Sequence, residues 1–85
     1  MKNIRNFDKN HEESYPIAEN FKKHPDLKPD AKLIGANGNI FNLLAICNKS
    51  LHNMPNAYNE LWERVQNSGS YYNALAIIHE YVNVI

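Results

Sequence analysis

The sequence predicts a mainly α protein: three short helices, a minimal β element over 31–34, and an extended N-terminal arm. Three observations carry this expectation. Apolar residues recur at helical spacing in three windows after residue 38, and Gly, Pro or a capping residue bounds each window. Charge is concentrated ahead of them. Residues 1–32 hold thirteen of the eighteen charged side chains and nine apolar ones, whereas 28 of the last 53 residues are apolar. The division expected from this is a polar, proline-containing arm over 1–30 and a compact helical domain over 31–85.

Within the arm, Pro16, Pro25 and Pro29 leave room for one short helix over 17–23. Ala31-Lys32-Leu33-Ile34 reads as a strand, closed by Gly35-Ala36-Asn37-Gly38, in which Asn-Gly is a strong turn signal. Asn39 then caps a first helix running to about His52. Its inward face is Ile40, Leu43, Leu44, Cys47, Leu51 and Met54. Pro55 opens a second helix over about 56–67, with Tyr58, Leu61, Trp62 and Val65 inward and Glu60, Glu63 and Arg64 toward solvent. Gly69 ends it, and Ser70 caps a third helix to about Tyr81 with the stripe Tyr71, Leu75, Ile78 and Val82. The β-branched ending over 82–85 could pair with the 31–34 strand.

Nine Lys and Arg balance nine Asp and Glu, so a general nucleic-acid or membrane-surface binder is not expected. The longest apolar runs are five residues, at 43–47 and 74–78, far short of the roughly 20 of a membrane span. A cytoplasmic protein is the expectation. One cysteine makes no internal disulfide, and the dispersed His11, His24, His52 and His79 make no metal pattern. Cys47 lies on an apolar stripe with no base nearby in sequence, and no phosphate loop or isolated carboxylate pair appears. A non-enzyme without cofactors follows. The fourteen asparagines fit an AT-rich coding sequence, with caps and turns taking some of them.

Two features point toward function. The first is a near-repeat: Gly-Asn-Ile-Phe-Asn-Leu-Leu-Ala-Ile at 38–46 and Gly-Ser-Tyr-Tyr-Asn-Ala-Leu-Ala-Ile at 69–77 agree at five of nine positions. Convergence on a capped apolar helix accounts for much of this. The same residues also offer a ligand site at two helix N-termini, where unpaired N–H groups suit phosphate. In that reading Gly38 and Gly69 admit an anion, and Asn39, Asn42, Ser70 and Asn73 hydrogen-bond to it. Tyr71, Tyr72 or Phe41 stacks on a base. Countercharge would come from Arg64, Lys32 or Lys49, or from Lys22, Lys23 and Lys28 of the arm.

The second feature is surplus apolar surface. Phe41, Ala45 and Ile46 on the first helix, and Ala74, Ala76 and Ile77 on the third, remain once the inward faces are assigned. A core of this size cannot bury them alone. The arm or another subunit must cover them, and a homo-oligomer is the expectation. Helix two, the turn and helix three also have helix-turn-helix spacing, which makes a DNA-binding regulator a second alternative. The second of that pair presents Tyr, Ala, Leu and Ile where a DNA reader presents Arg, Lys, Gln or Asn.

The run Lys32-Leu-Ile-Gly-Ala-Asn-Gly-Asn-Ile-Phe-Asn-Leu-Leu, with the late Ser70-Tyr71-Tyr72-Asn73-Ala74-Leu75, resembles a widespread group of small phage and mobile-element proteins. Members share a strand, an Asn/Asp-Gly-Asn-x-Phe turn into a helix, and a late Ser-Tyr-x-x-Leu helix. The resemblance spans residues 32–85. It implies a non-catalytic antagonist of host defence in the host cytoplasm. One mechanism is an oligomeric sponge that sequesters a cyclic-nucleotide immune signal. The alternative is a protein–protein inhibitor of a defence complex such as a CRISPR effector.

Overall fold

The computed structural model describes residues 15–85. Along them run α1 (Pro16–Lys23), a 3-10 turn (Pro25–Leu27), β1 (Asp30–Ala31), α2 (Ile40–Ser50), α3 (Pro55–Gln66), α4 (Tyr71–Ile78) and β2 (Asn83–Val84). The three helices after residue 38 and the short helix between prolines all form. The first fourteen positions of the arm lie outside the described residues.

The predicted β pairing forms as a two-stranded parallel sheet, with Asp30 opposite Asn83 and Ala31 opposite Val84. β1 is centred two residues earlier than the 31–34 expected from sequence. The ladder stops because the Leu33 and Ile34 N–H groups both donate to the one Ile85 carbonyl, each at 2.9 Å, and the chain turns. That turn is also displaced. Its left-handed residue is Gly35, at φ +87°, and Asn37-Gly38 lies beyond it.

The core is wholly apolar among the described residues. α2 supplies Leu43, Leu44, Cys47 and Leu51, α3 supplies Ala57, Leu61 and Val65, and α4 with the segment after it supplies Ala74, Ile78, Tyr81 and Val82. α1 adds Ala18 and Phe21, whose ring meets Tyr81 edge-on at 6.2 Å. Residues 16–23, part of the arm by composition, therefore sit in the same core. α4 ends at Ile78, short of the predicted Tyr81; 3-10-type bonds from Glu80 and Tyr81 to Ile77 and Ile78 tighten its exit.

Four assignments of helix faces are corrected. Ala57 takes the inward position on α3, and Trp62 is 44% exposed, because the buried row is 57, 61 and 65 at one-turn spacing. Ala74 faces the core rather than belonging to the surplus, and Tyr71, expected in the inward stripe, is exposed. Glu60 and Arg64 do not face open solvent; both are half-buried against α1 and the segment after α4. α1 lies along α3, so Phe41, Ala45 and Ala76 stay exposed while Ile46 and Ile77 are half-buried. Among the described residues, no helix is long and apolar enough to cross a membrane.

Candidate functional site

The two copies of the near-repeat share a local construction. The Asn39 side chain accepts from the Phe41 N–H at 2.9 Å, and Ser70 Oγ accepts from the Asn73 N–H at 3.0 Å, so each satisfies a donor that its helix leaves unpaired. The shared asparagines act alike: Asn42 Nδ2 donates to the Asn37 carbonyl and Asn73 Nδ2 to the Ser68 carbonyl, both at 2.9 Å and both five residues back. Each ties the entering chain to the first helical turn. Four polar side chains assigned from sequence to ligand contact thus hold backbone partners.

The glycines differ. Gly69 has φ +83° and open space where a Cβ would stand, so it serves the turn. Gly38 is not left-handed, and a Cβ there would meet Tyr71 Oη at 3.1 Å. Its bareness makes room for Tyr71, whose hydroxyl donates to the Gly38 carbonyl. The first residue of α4 is thereby clasped to the loop ahead of α2, and the two copies of the repeat meet.

Beside this clasp lies a groove of about 220 Å³, floored by Leu43, Leu75, Ile78 and Val84 and walled by Leu33, Ile34 and Tyr71. His79 stands at its edge. Its rim continues over exposed apolar side chains. Ile34 is 72% exposed and Tyr72 81%, the latter ring edge-on to Tyr71 at 6.2 Å. Exposed Ile85 is tied to Leu33 and Ile34 through its carbonyl. No Lys or Arg lines the groove.

Arg64 sits elsewhere. Its guanidinium donates to Glu80 at 2.7 and 3.4 Å and to Tyr81 Oη at 3.1 Å, under the Tyr15 ring at 4.5 Å. Burial alone would lower its pKa; the bonds to Glu80 and Tyr81 outweigh that and raise it. Tyr81 Oη in turn donates to Glu60 at 2.6 Å, and Glu60 accepts from the first free N–H groups of α1, Ile17 and Ala18. Burial and the Glu60 bond push the Tyr81 phenol up, against the opposing pull of Arg64. Of the arm's lysines, Lys28 donates to the His79 carbonyl at 2.8 Å and Lys22 lies 3.9 Å from Glu19. Lys23, Lys32 and Lys49 are exposed.

The structure thus brings Gly38, Asn39, Asn42 and Tyr71 together, keeps Tyr72 against Tyr71, and leaves Gly69, Ser70 and Asn73 at their own turn. The sequence marks the groove's Leu33, Ile34 and Val84 only as strand residues. Nothing in apolar periodicity marks a strand residue as a groove wall. Comparisons with protein-family models, curated proteins and solved structures found no match to this chain. Geometry therefore carries the functional reading.

Proposed function

We propose that the protein is a non-catalytic antagonist that acts by docking on another protein through the groove between the 33–38 loop and α4. The observation that supports this is a mainly apolar groove without Lys, Arg, Asp or Glu, lined by exposed Ile34 and Tyr71, with exposed Tyr72 beside Tyr71. Tyrosine and exposed aliphatic side chains gathered at a concave patch are what protein interfaces use as anchors. Of the two mechanisms that the resemblance implies, inhibition of a defence complex fits this surface better than sequestration of a nucleotide. Phosphate recognition favours cations, and here no Lys or Arg lines the groove, while Arg64 is paired with Glu80.

A photo-crosslinking residue in place of Tyr72, compared with one in place of exposed Lys23 on α1, tests the reading in the cell of origin. A single dominant heterologous adduct at position 72, absent at 23 and lost with Ile34→Ser, is the expected result. Adducts only to further copies of this chain would replace the inhibitor by a homo-oligomer. Thermal stabilisation by a member of a cyclic di- and trinucleotide panel, abolished by Tyr72→Ser, would return the sponge instead.

A further inference from the structure

The loop that carries the groove's rim also contains the chain's single Asn-Gly step, Asn37-Gly38. Both residues are exposed. Asn37 Oδ1 accepts from the Asn39 N–H at 2.8 Å, so the carboxamide turns forward along the chain and closes an Asx turn around Gly38. The Asn37 carbonyl is held by Asn42 Nδ2 at 2.9 Å. Gly38 N–H donates to no backbone or side-chain acceptor among the described residues. We propose that Asn37-Gly38 is a site of spontaneous covalent modification, in which the Gly38 nitrogen closes on the Asn37 side chain to form a succinimide.

The chemistry is complete with water alone. A solvent base takes the proton from the Gly38 nitrogen as that nitrogen bonds to Asn37 Cγ. The developing negative charge falls on Oδ1, the atom that already accepts the Asn39 N–H. A donor placed where charge develops lowers the barrier. The Cγ–Nδ2 bond then breaks, and the nitrogen leaves as ammonia after taking up a proton. Water opens the five-membered ring at one of its two carbonyl carbons, giving aspartate or isoaspartate at position 37. No electrons are transferred. Gly38 suits the attack because it has no Cβ to crowd the nitrogen.

Both products change the loop. Aspartate adds a negative charge beside the N-terminus of α2. Isoaspartate inserts a methylene into the main chain just before the carbonyl that receives Tyr71, and so shifts the wall of the groove. This last consequence for docking rests on the function proposed above; the modification itself does not.

The native protein, held in mildly alkaline buffer and sampled by peptide mapping, tests the site. The expected outcome is exchange of amide for acid at Asn37 ahead of the thirteen other asparagines, Asn67 before Ser68 included. Isoaspartate detectable by a methyltransferase should appear at the same position. Gly38→Ala should slow the reaction severalfold by crowding the nitrogen. The same measurement on the chain unfolded in urea keeps the test independent of whether that variant folds. Asn37 should convert in the native protein at least as fast as in the unfolded one. An intact Asn37 in the native protein, or conversion that needs unfolding, would overturn the proposal.

Discussion

The Tyr71 hydroxyl donates to the Gly38 carbonyl, so the first residue of α4 is clasped to the loop that enters α2, 33 positions earlier in the chain. Two constraints meet in that contact. The hydroxyl needs the carbonyl, and the absence of a Cβ at Gly38 leaves it the space, since an added carbon would sit 3.1 Å from the oxygen. Tyr71→Phe should therefore lower stability by about 0.5–1 kcal/mol, the net value of one exposed hydrogen bond. Gly38→Ala should be destabilising while the Tyr71 hydroxyl is present and nearly neutral once Tyr71→Phe has removed it. Urea titration of the two single variants and the double variant measures this coupling. Strictly additive effects would mean that Gly38 is fixed by something other than the clasp.

Glu60 holds α1 to the rest of the molecule with two oxygens and three donors: the Ile17 and Ala18 N–H groups and the Tyr81 hydroxyl. α1 has no capping side chain of its own, because Tyr15 stands at its N-cap and Pro16 at its first position. Glu60→Ala should cost about 2–3 kcal/mol, the penalty for leaving partly buried donors without acceptors. Hydrogen exchange should accelerate first in α1. Glu63→Ala, on the exposed side of the same helix, should change stability by less than about 0.5 kcal/mol. Equal effects at 60 and 63 would refute the cap.

Local signals read the elements correctly and read their environment less well. The caps at Asn39 and Ser70, the breaks at Pro55 and Gly69, and the β-branched ending at 82–85 are each decided within a few residues. Sequence spacing was therefore enough to place α2, α3 and α4 and, to within two residues, the β1–β2 pair. Glu60 and Arg64 misled because their partners, Tyr81, Glu80 and the start of α1, are 16 to 43 residues away. A charged residue beside an apolar row looks solvated until that distant chain arrives. Trp62 misled for another reason: it stands next to Leu61, but the buried row of α3 runs through Ala57, Leu61 and Val65 and leaves its neighbour on the exposed side. For the site, the near-repeat was legible as a pattern, and its Asn42 and Asn73 braces became legible only from where their side chains end.

Those braces make the two helix entries comparable experimentally. Asn39→Ala and Ser70→Ala should each cost about 1 kcal/mol, the usual loss for an N-cap. Asn42→Ala and Asn73→Ala should cost about the same as each other, because each removes one 2.9 Å bond of identical span. Melting temperatures of the four variants check this. A loss of stability at Asn42 without one at Asn73 would show that the repeat is shared in sequence and not in mechanism.

The pH dependence of stability follows from Cys47, which is fully buried on α2. Burial in apolar surroundings disfavours the thiolate and pushes the thiol from its ordinary 9.0 up to about 11. The folded value lies above the unfolded one, so the folded state holds its proton longer. Below about pH 9 both states are protonated and the thiol gives no pH dependence. Between 9 and 11 the unfolded chain ionises first, and stability falls as pH rises, by about 2–3 kcal/mol in all. The Tyr81 phenol is raised for a similar reason and pulls the same way at higher pH. Denaturant titrations across this range should show the fall, and Cys47→Ala should flatten its lower part while leaving that due to Tyr81. At neutral pH the thiol should react with a disulfide reagent only as fast as the protein opens, and rapid labelling of the native protein would contradict both its burial and its raised pKa.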